Sequence, residues 1–303
     1  MAPVPPPDPF PPSRISSGVR RVTGRCAFTL IELLVVIAVV TLLVGILLPA
    51  LGHSRRLALQ AREQKAAGSL IAAYTLYCND FRGAVPPGYA SAAMTAAGGP
   101  TDGRLVVHDE TGARIYGVVA RRYPWRIAPY MDYNFLGLYD QRLLERYQAR
   151  SDYQYVVSLS PALGVNADFL GGKADPGMAF NAGALSLYGR FYIVRIDEVR
   201  EPARFVAFAS ARGVDPDGGT VPGFHMVDAP NLLFPRWSAE RFSPAAEPSA
   251  HGGVDFRHGG KGAPQAATAH PDGHAAMLGE DDLRDMRRWS NSAGRPDWLL
   301  APK

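Results

Sequence analysis

Cysteine is scarce: Cys26 and Cys78 are the only two in 303 residues. They stand on opposite sides of a long apolar run, so no disulfide between them is expected, and no C-x-x-C redox or metal motif exists. A basic footprint for nucleic acid is also missing. Of the formal net charge of +4, residues 1–27 supply +3, with Arg14, Arg20, Arg21 and Arg25 set against Asp8 alone. The remainder is almost neutral and shows no Lys/Arg stripe interleaved with aromatics, so no nucleic-acid partner is expected. Nor is there a G-x-S-x-G, P-loop, G-x-G-x-x-G, H-E-x-x-H or EF-hand pattern, and no internal repeat. Asp80, Asp109, Glu110 and Asp175 read as solvated loop carboxylates, and Asp215 and Asp217 as a turn rather than a calcium loop. The expectation is a protein that is not an enzyme and holds no resident cofactor.

What the chain does have is one long apolar run. From Phe28 to Leu48 every residue is apolar or small except Thr29, Glu32 and Thr41. Twenty-one residues at 1.5 Å each make about 31 Å of helix, which matches a hydrocarbon core of about 30 Å. This segment is read as a transmembrane helix over 28–48. Residues 1–27, Pro-rich and then basic, contain no apolar region of their own and so do not read as a secretory signal. Their arginines favour a cytoplasmic N-terminus, against the weaker opposing signal of Arg55, Arg56 and Arg62. The bulk of the chain then lies outside the cytoplasm. Glu32 is the anomaly, because a carboxylate inside a membrane helix is costly and marks a function.

Beyond the run, Ala67, Leu70, Ile71, Tyr74, Tyr77 and Cys78 recur at three- and four-residue spacing. That pattern predicts an amphipathic spine helix over 49–80, ending near Asn79–Gly83 before VPPG. Gly68 interrupts strong helix formers there, for which close approach of a strand is the expected reason. Residues 81–303 read as a loop-rich α+β head, Gly and Pro together supplying many turns (31 and 26 residues). Strands are expected at Arg104–His108, Arg114–Ala120, Tyr153–Leu159, Phe191–Ile196 and Arg204–Ser210. Helices are expected at Phe135–Tyr147 and Asp281–Trp289. GAVPPGYASAAMTAAGGPTDG and SPAAEPSAHGG are taken as surface loops or insertions.

One stretch of the head is rich in potential ligands: His251, Asp255, His258, His270, Asp272 and His274. By residue type these suit a metal, with His258, His270, Asp272 and His274 as the nearest thing to a set. On a strand, His270, Asp272 and His274 would share a face. Asp272-Gly273 reads instead as a hairpin turn, and a structural role is favoured over a metal site.

The segment AFTLIELLVVIAVVTLLVGILLPAL resembles the N-terminal signature of prepilins and type II secretion pseudopilins, over about residues 20–80. That resemblance implies cleavage by a prepilin peptidase between Ala27 and Phe28, methylation of the new Phe28 amine by the same enzyme, and packing of helices into a filament. It implies that Glu32 of one subunit neutralises the Phe28 ammonium of its neighbour and so sets register. Pro49 falls where many of these helices carry a proline. One departure is Ala27, since the family usually has Gly before the cut and here Gly24 lies three residues earlier. FRHGG followed by PDGH also resembles the C-terminal segment of pseudopilin-like proteins abundant in planctomycetes, with a longer hairpin and a poor intervening strand (APQAATA). Implied partners are prepilin peptidase, other pilin-like subunits and an inner-membrane assembly platform. The implied setting is the inner membrane, with the head in the periplasm and later in a periplasmic or surface filament of a type II secretion or type IV pilus-like system. The competing reading is a singly anchored periplasmic binding or metal-dependent protein that never assembles.

Overall fold

The structure, a computed structural model, describes residues 29–100, 102–139, 141–174, 178–214, 219–237, 253–260 and 262–303. The chain divides into two compact units, Met1–Gly52 and His53–Lys303. Among the described residues of the first unit the only element is the leading half of helix α1 (Leu30–Asp80). Its side chains are exposed from Leu30 through Leu51, on all sides of the helix. Such a helix has no core to face and is long and apolar enough to cross a membrane, with a mean hydropathy of 3.0 over its most apolar window. Thr41 bonds back to the Ile37 carbonyl at 2.7 Å, which hides its hydroxyl from the apolar surroundings. The helix continues through Pro49, which leaves the Gly45 carbonyl without its usual partner.

In the second unit α1 acquires a buried stripe. Ala66, Ala67, Leu70, Ile71, Ala73, Tyr74, Tyr77 and Cys78 are all buried, as their spacing predicts. The helix stops where Arg82 and Gly83 turn to positive φ (57° and 84°). There the Gly83 N–H reaches back to the Cys78 carbonyl at 2.7 Å, satisfying a terminal acceptor.

The stripe packs on a seven-stranded sheet. In chain order the strands of the head are β1 (Val107–His108), β2 (Arg114–Ile115), β3 (Leu163–Asn166), β4 (Phe208–Val214), β5 (Thr220–Pro222), β6 (Met226–Val227), β7 (Gly253–Val254), β8 (Gln265–Ala269) and β9 (Ala275–Gly279). β1 and β2 form a small separate hairpin. The main path runs β6-β3-β4-β8-β9, with β5 and β7 pairing the far half of β4. Every pairing is antiparallel except β3 with β6. Tyr74 meets Phe208 of β4 edge to face at 5.3 Å, and a Cβ on Gly68 would lie 4.0 Å from that of Ala275 on β9. A strand does run past Gly68, but not so closely that it requires a glycine there.

The helices are α2 (Gly117–Arg121), α3 (Tyr123–Ile127), α4 (Gln141–Gln148), α5 (Tyr153–Leu159), α6 (Ala182–Tyr188) and α7 (Glu280–Arg284). The class is α+β, as expected, but several local expectations fail. Tyr153–Leu159 is helix rather than strand: Val156, Val157, Ser158 and Leu159 are buried there, and the Trp125 indole of α3 donates to the Gln154 carbonyl. Tertiary packing overrides the β preference of its valines and tyrosines. The strand expected over Arg114–Ala120 stops at Ile115, because Gly117 takes φ +65° and opens α2. Phe191–Ile196 makes only single bridges, Ile193 with Leu170 and Arg195 with Ala84. Arg104–His108 shrinks to β1, and the strand expected over Arg204–Ser210 begins at Phe208 and runs on to Val214. Phe135–Tyr147 divides into a 3-10 turn, Phe135–Gly137, and α4. Asp281–Trp289 divides at Asp285, whose carboxylate caps the Arg287 N–H of a second 3-10 turn.

Two further corrections concern loops and strands judged poor. Val85, Pro86, Gly88, Tyr89 and Ala90 are buried rather than surface-borne. Gly88 is seated where any Cβ would fall 2.6 Å from the Ala167 backbone. APQAATA supplies β8, whose Ala266, Ala267, Thr268 and Ala269 are all wholly buried. The insertion SPAAEPSAHGG lies almost wholly outside the described residues.

Candidate functional site

Ala27 and Phe28, the expected cut, lie outside the described residues, as do His251, Asp175, Asp215 and Asp217. Glu32 is described, and its position has a local cause. The Thr29 N–H and hydroxyl both donate to Glu32 Oε2 at 2.8 Å, while the Glu32 N–H donates to Thr29 Oγ1 at 3.2 Å. With α1 starting at Leu30, this is a capping box, Thr29 at the N-cap and Glu32 three residues on. The T-x-x-E signature stands in the sequence and is what the apolar pattern around it obscures. Two otherwise orphaned N–H donors at the head of α1 are satisfied reciprocally, that of Thr29 by the very carboxylate that seemed misplaced and that of Glu32 by the Thr29 hydroxyl. Pro49 sits inside the same helix.

In the head, the structure separates the four ligand candidates. His258 faces α1, where its Nε2 lies 2.6 Å from Glu63 Oε2. The Ser210 hydroxyl donates to the other Glu63 oxygen at 2.7 Å, and Arg257 stands 3.5 Å from it. Burial opposes ionisation of Glu63, but the His258 hydrogen bond, the Arg257 charge and Ser210 outweigh it and hold its carboxyl below the usual range. Asp255, another candidate, pairs with Arg212 at 2.8 Å and Arg257 at 3.5 Å. This joint pins the spine helix to β4 and the segment before β8. His258 pairs through its backbone with Gln265, the first residue of β8. The remaining candidates follow the strand's last residue, about 13 Å further along.

There His270, Asp272 and His274 form a turn between β8 and β9, not a strand face. Gly273 takes φ +95°, as the hairpin reading of Asp-Gly requires. The His270 and His274 rings stack 4.2 Å apart and parallel within 1°. His270 Nδ1 meets the Phe205 carbonyl at 2.9 Å and Nε2 meets Thr268 Oγ1 at 3.0 Å, so both ring nitrogens are engaged. Burial, then the neighbouring His274, push His270 down to about 4, and it stays neutral. His274 is held by Asp272 at 2.6 Å. Among the described residues no group of three or more His, Cys, Asp or Glu is arranged to hold a metal. The geometry makes these residues turn and joint formers.

A second charged centre carries no sequence signature. Lys173, 1 % exposed, lies 2.9 Å from Asp228 and 3.7 Å from Asp168. Arg236 closes the ring at 2.5 Å from Asp168 and 3.3 Å from Asp228. Burial disfavours the lysine's charge, but the two aspartates outweigh it and keep the ammonium fully protonated. Two cations and two anions cancel inside the head, a structural arrangement rather than a reactive one.

No curated protein and no solved structure matches the chain. Residues 23–48 match the family model of the prokaryotic N-terminal methylation motif, and they include Ala27, Phe28 and the capping-box residues Thr29 and Glu32. An apolar helix exposed on every side thus opens within a segment similar to the prokaryotic N-terminal methylation motif, the signature found on type IV pilin-like precursors.

Proposed function

We propose that the protein is a non-catalytic pilin-like subunit, a pseudopilin, cut between Ala27 and Phe28, N-methylated at Phe28 and assembled through α1 into a periplasmic or surface filament. The observation that carries this reading is the coincidence of the methylation motif with an uncovered apolar stretch of helix, Leu30 to Leu51, whose only carboxylate is Glu32. Before assembly, Glu32 is occupied by Thr29. On assembly it exchanges that local cap for the Phe28 ammonium of a neighbouring subunit, joining two otherwise isolated charges in a low-dielectric setting. The N-terminus lies in the cytoplasm and the head in the periplasm, in a type II secretion or type IV pilus-like system. A head of more than two hundred residues suits a minor subunit better than the bulk of a filament, and filament proteomics with this chain dominant would overturn that assignment.

The test is the mature N-terminus, read by mass spectrometry from cells with an active prepilin peptidase. A chain starting at N-methylated Phe28 is expected. A chain still carrying Met1 under those conditions would sink the pilin reading and favour a singly anchored periplasmic protein.

A further inference from the structure

A cleft in the head has a volume of about 740 Å³, within the range of small-molecule sites. One wall is the stretch of α1 from His53 to Glu63, and the other is built from Tyr139, Ala162, Pro222 and Arg257–Gly260. His53, Arg56, Gln60 and Glu63 recur every three or four residues, so they share one helix face. The lining holds three arginines, Arg56, Arg62 and Arg257, against the single carboxylate of Glu63. That carboxylate is already spoken for by His258, Ser210 and Arg257. Arg62 is spent on the Leu136 and Tyr139 carbonyls, whereas Arg56 is exposed and has no ion-pair partner among the described residues. Leu57, Leu59 and Pro222 add apolar surface beside these cations.

We propose that this cleft binds the phosphate headgroup of an anionic phospholipid, with Arg56 as its principal cation and Leu57 and Leu59 against the glycerol and first methylenes. Two observations select a lipid over other anions. The cleft is amphiphilic, positive beside apolar, which suits a phosphodiester carrying acyl chains. Its helical wall also starts at His53, only five residues along the chain from Leu48, the end of the apolar run. The inference rests on the membrane-spanning reading of α1 but not on cleavage or filament assembly.

The experiment uses the full chain in a non-ionic detergent, with bound lipid counted by native mass spectrometry. Dioctanoyl phosphatidylglycerol, dioctanoyl phosphatidylcholine and inorganic phosphate are offered separately. One phosphatidylglycerol per chain is expected, retained in preference to phosphatidylcholine. Arg56→Gln is expected to weaken it roughly fivefold, the worth of one cation near an anionic surface. Arg55→Gln, an identical charge change one residue away and outside the cleft lining, is expected to leave it unchanged. Equal retention of the two lipids, equal losses in the two variants, or binding of inorganic phosphate as tight as that of the lipid would each overturn the proposal. The mature N-terminus reads the same whichever result is obtained, so the two readings fail separately.

Discussion

At Gly68 the spine helix gives up side-chain surface without geometric need. A methyl there would meet Ala275 Cβ at 4.0 Å, ordinary contact, and the residue's φ is helical. Gly68→Ala is therefore expected to stabilise the head by about 0.5–1 kcal/mol, read as a raised denaturant midpoint with unchanged slope. Lys173 is the opposite case. Lys173→Met leaves two buried aspartates to share Arg236 alone, one negative charge uncompensated, and is expected to cost roughly 3–5 kcal/mol. Nothing in the sequence announces this group, because Asp168, Lys173, Asp228 and Arg236 meet only once the sheet has brought two distant segments together. His270 was visible as a chemical type but not as a buried neutral ring. Between about pH 4 and 6.5 the unfolded chain binds a proton on His270 that the folded chain refuses. Stability should fall by roughly 2–3 kcal/mol as the pH drops through that window. His270→Gln should flatten that part of the stability–pH curve, and a slope identical to wild type would disprove the assignment.

Among the elements, α1 was the most legible, since its 3.6-residue pattern survives over eight buried positions and its stop coincides with Arg82–Gly83. Short strands were not. β8 reads QAATA, a weak strand by composition, yet it lies covered on both faces, where small side chains are what the space accepts. α5 misleads in the other direction, its valines and tyrosines chosen for packing beside Trp125 rather than for an extended backbone. The joint between α1 and the head is not legible in the sequence, because nothing sets Glu63 apart from the other polar positions of the helix. It makes a measurable claim: a double-mutant cycle of Glu63→Gln and His258→Phe should show a coupling of roughly 0.5–3 kcal/mol, the range for directly contacting groups. A cycle that closes to zero would make the 2.6 Å contact energetically silent.

For the whole molecule, the legible part was the division of labour between an apolar N-terminal segment and an α+β head. The topology of that head was beyond reach, since its central strand β4 pairs with four others drawn from across the chain. The assembly role proposed for Glu32 is tested at this scale. Glu32→Leu is expected to leave membrane insertion intact or improve it, while abolishing incorporation into filaments; incorporation at wild-type levels would rule out its assembly role. Thr29→Val removes the hydroxyl of the cap without touching the carboxylate, so it should spare assembly. The packing of α1 on the sheet has a mechanical consequence as well. Glu63 holds Ser210, Gln64 holds the Ala275 carbonyl, and Tyr74 abuts Phe208, so the helix is fastened along its length to β4 and β9. A tug applied along α1 loads these fastenings side by side, in shear, instead of peeling them one after another, and the head travels with its helix as a single load.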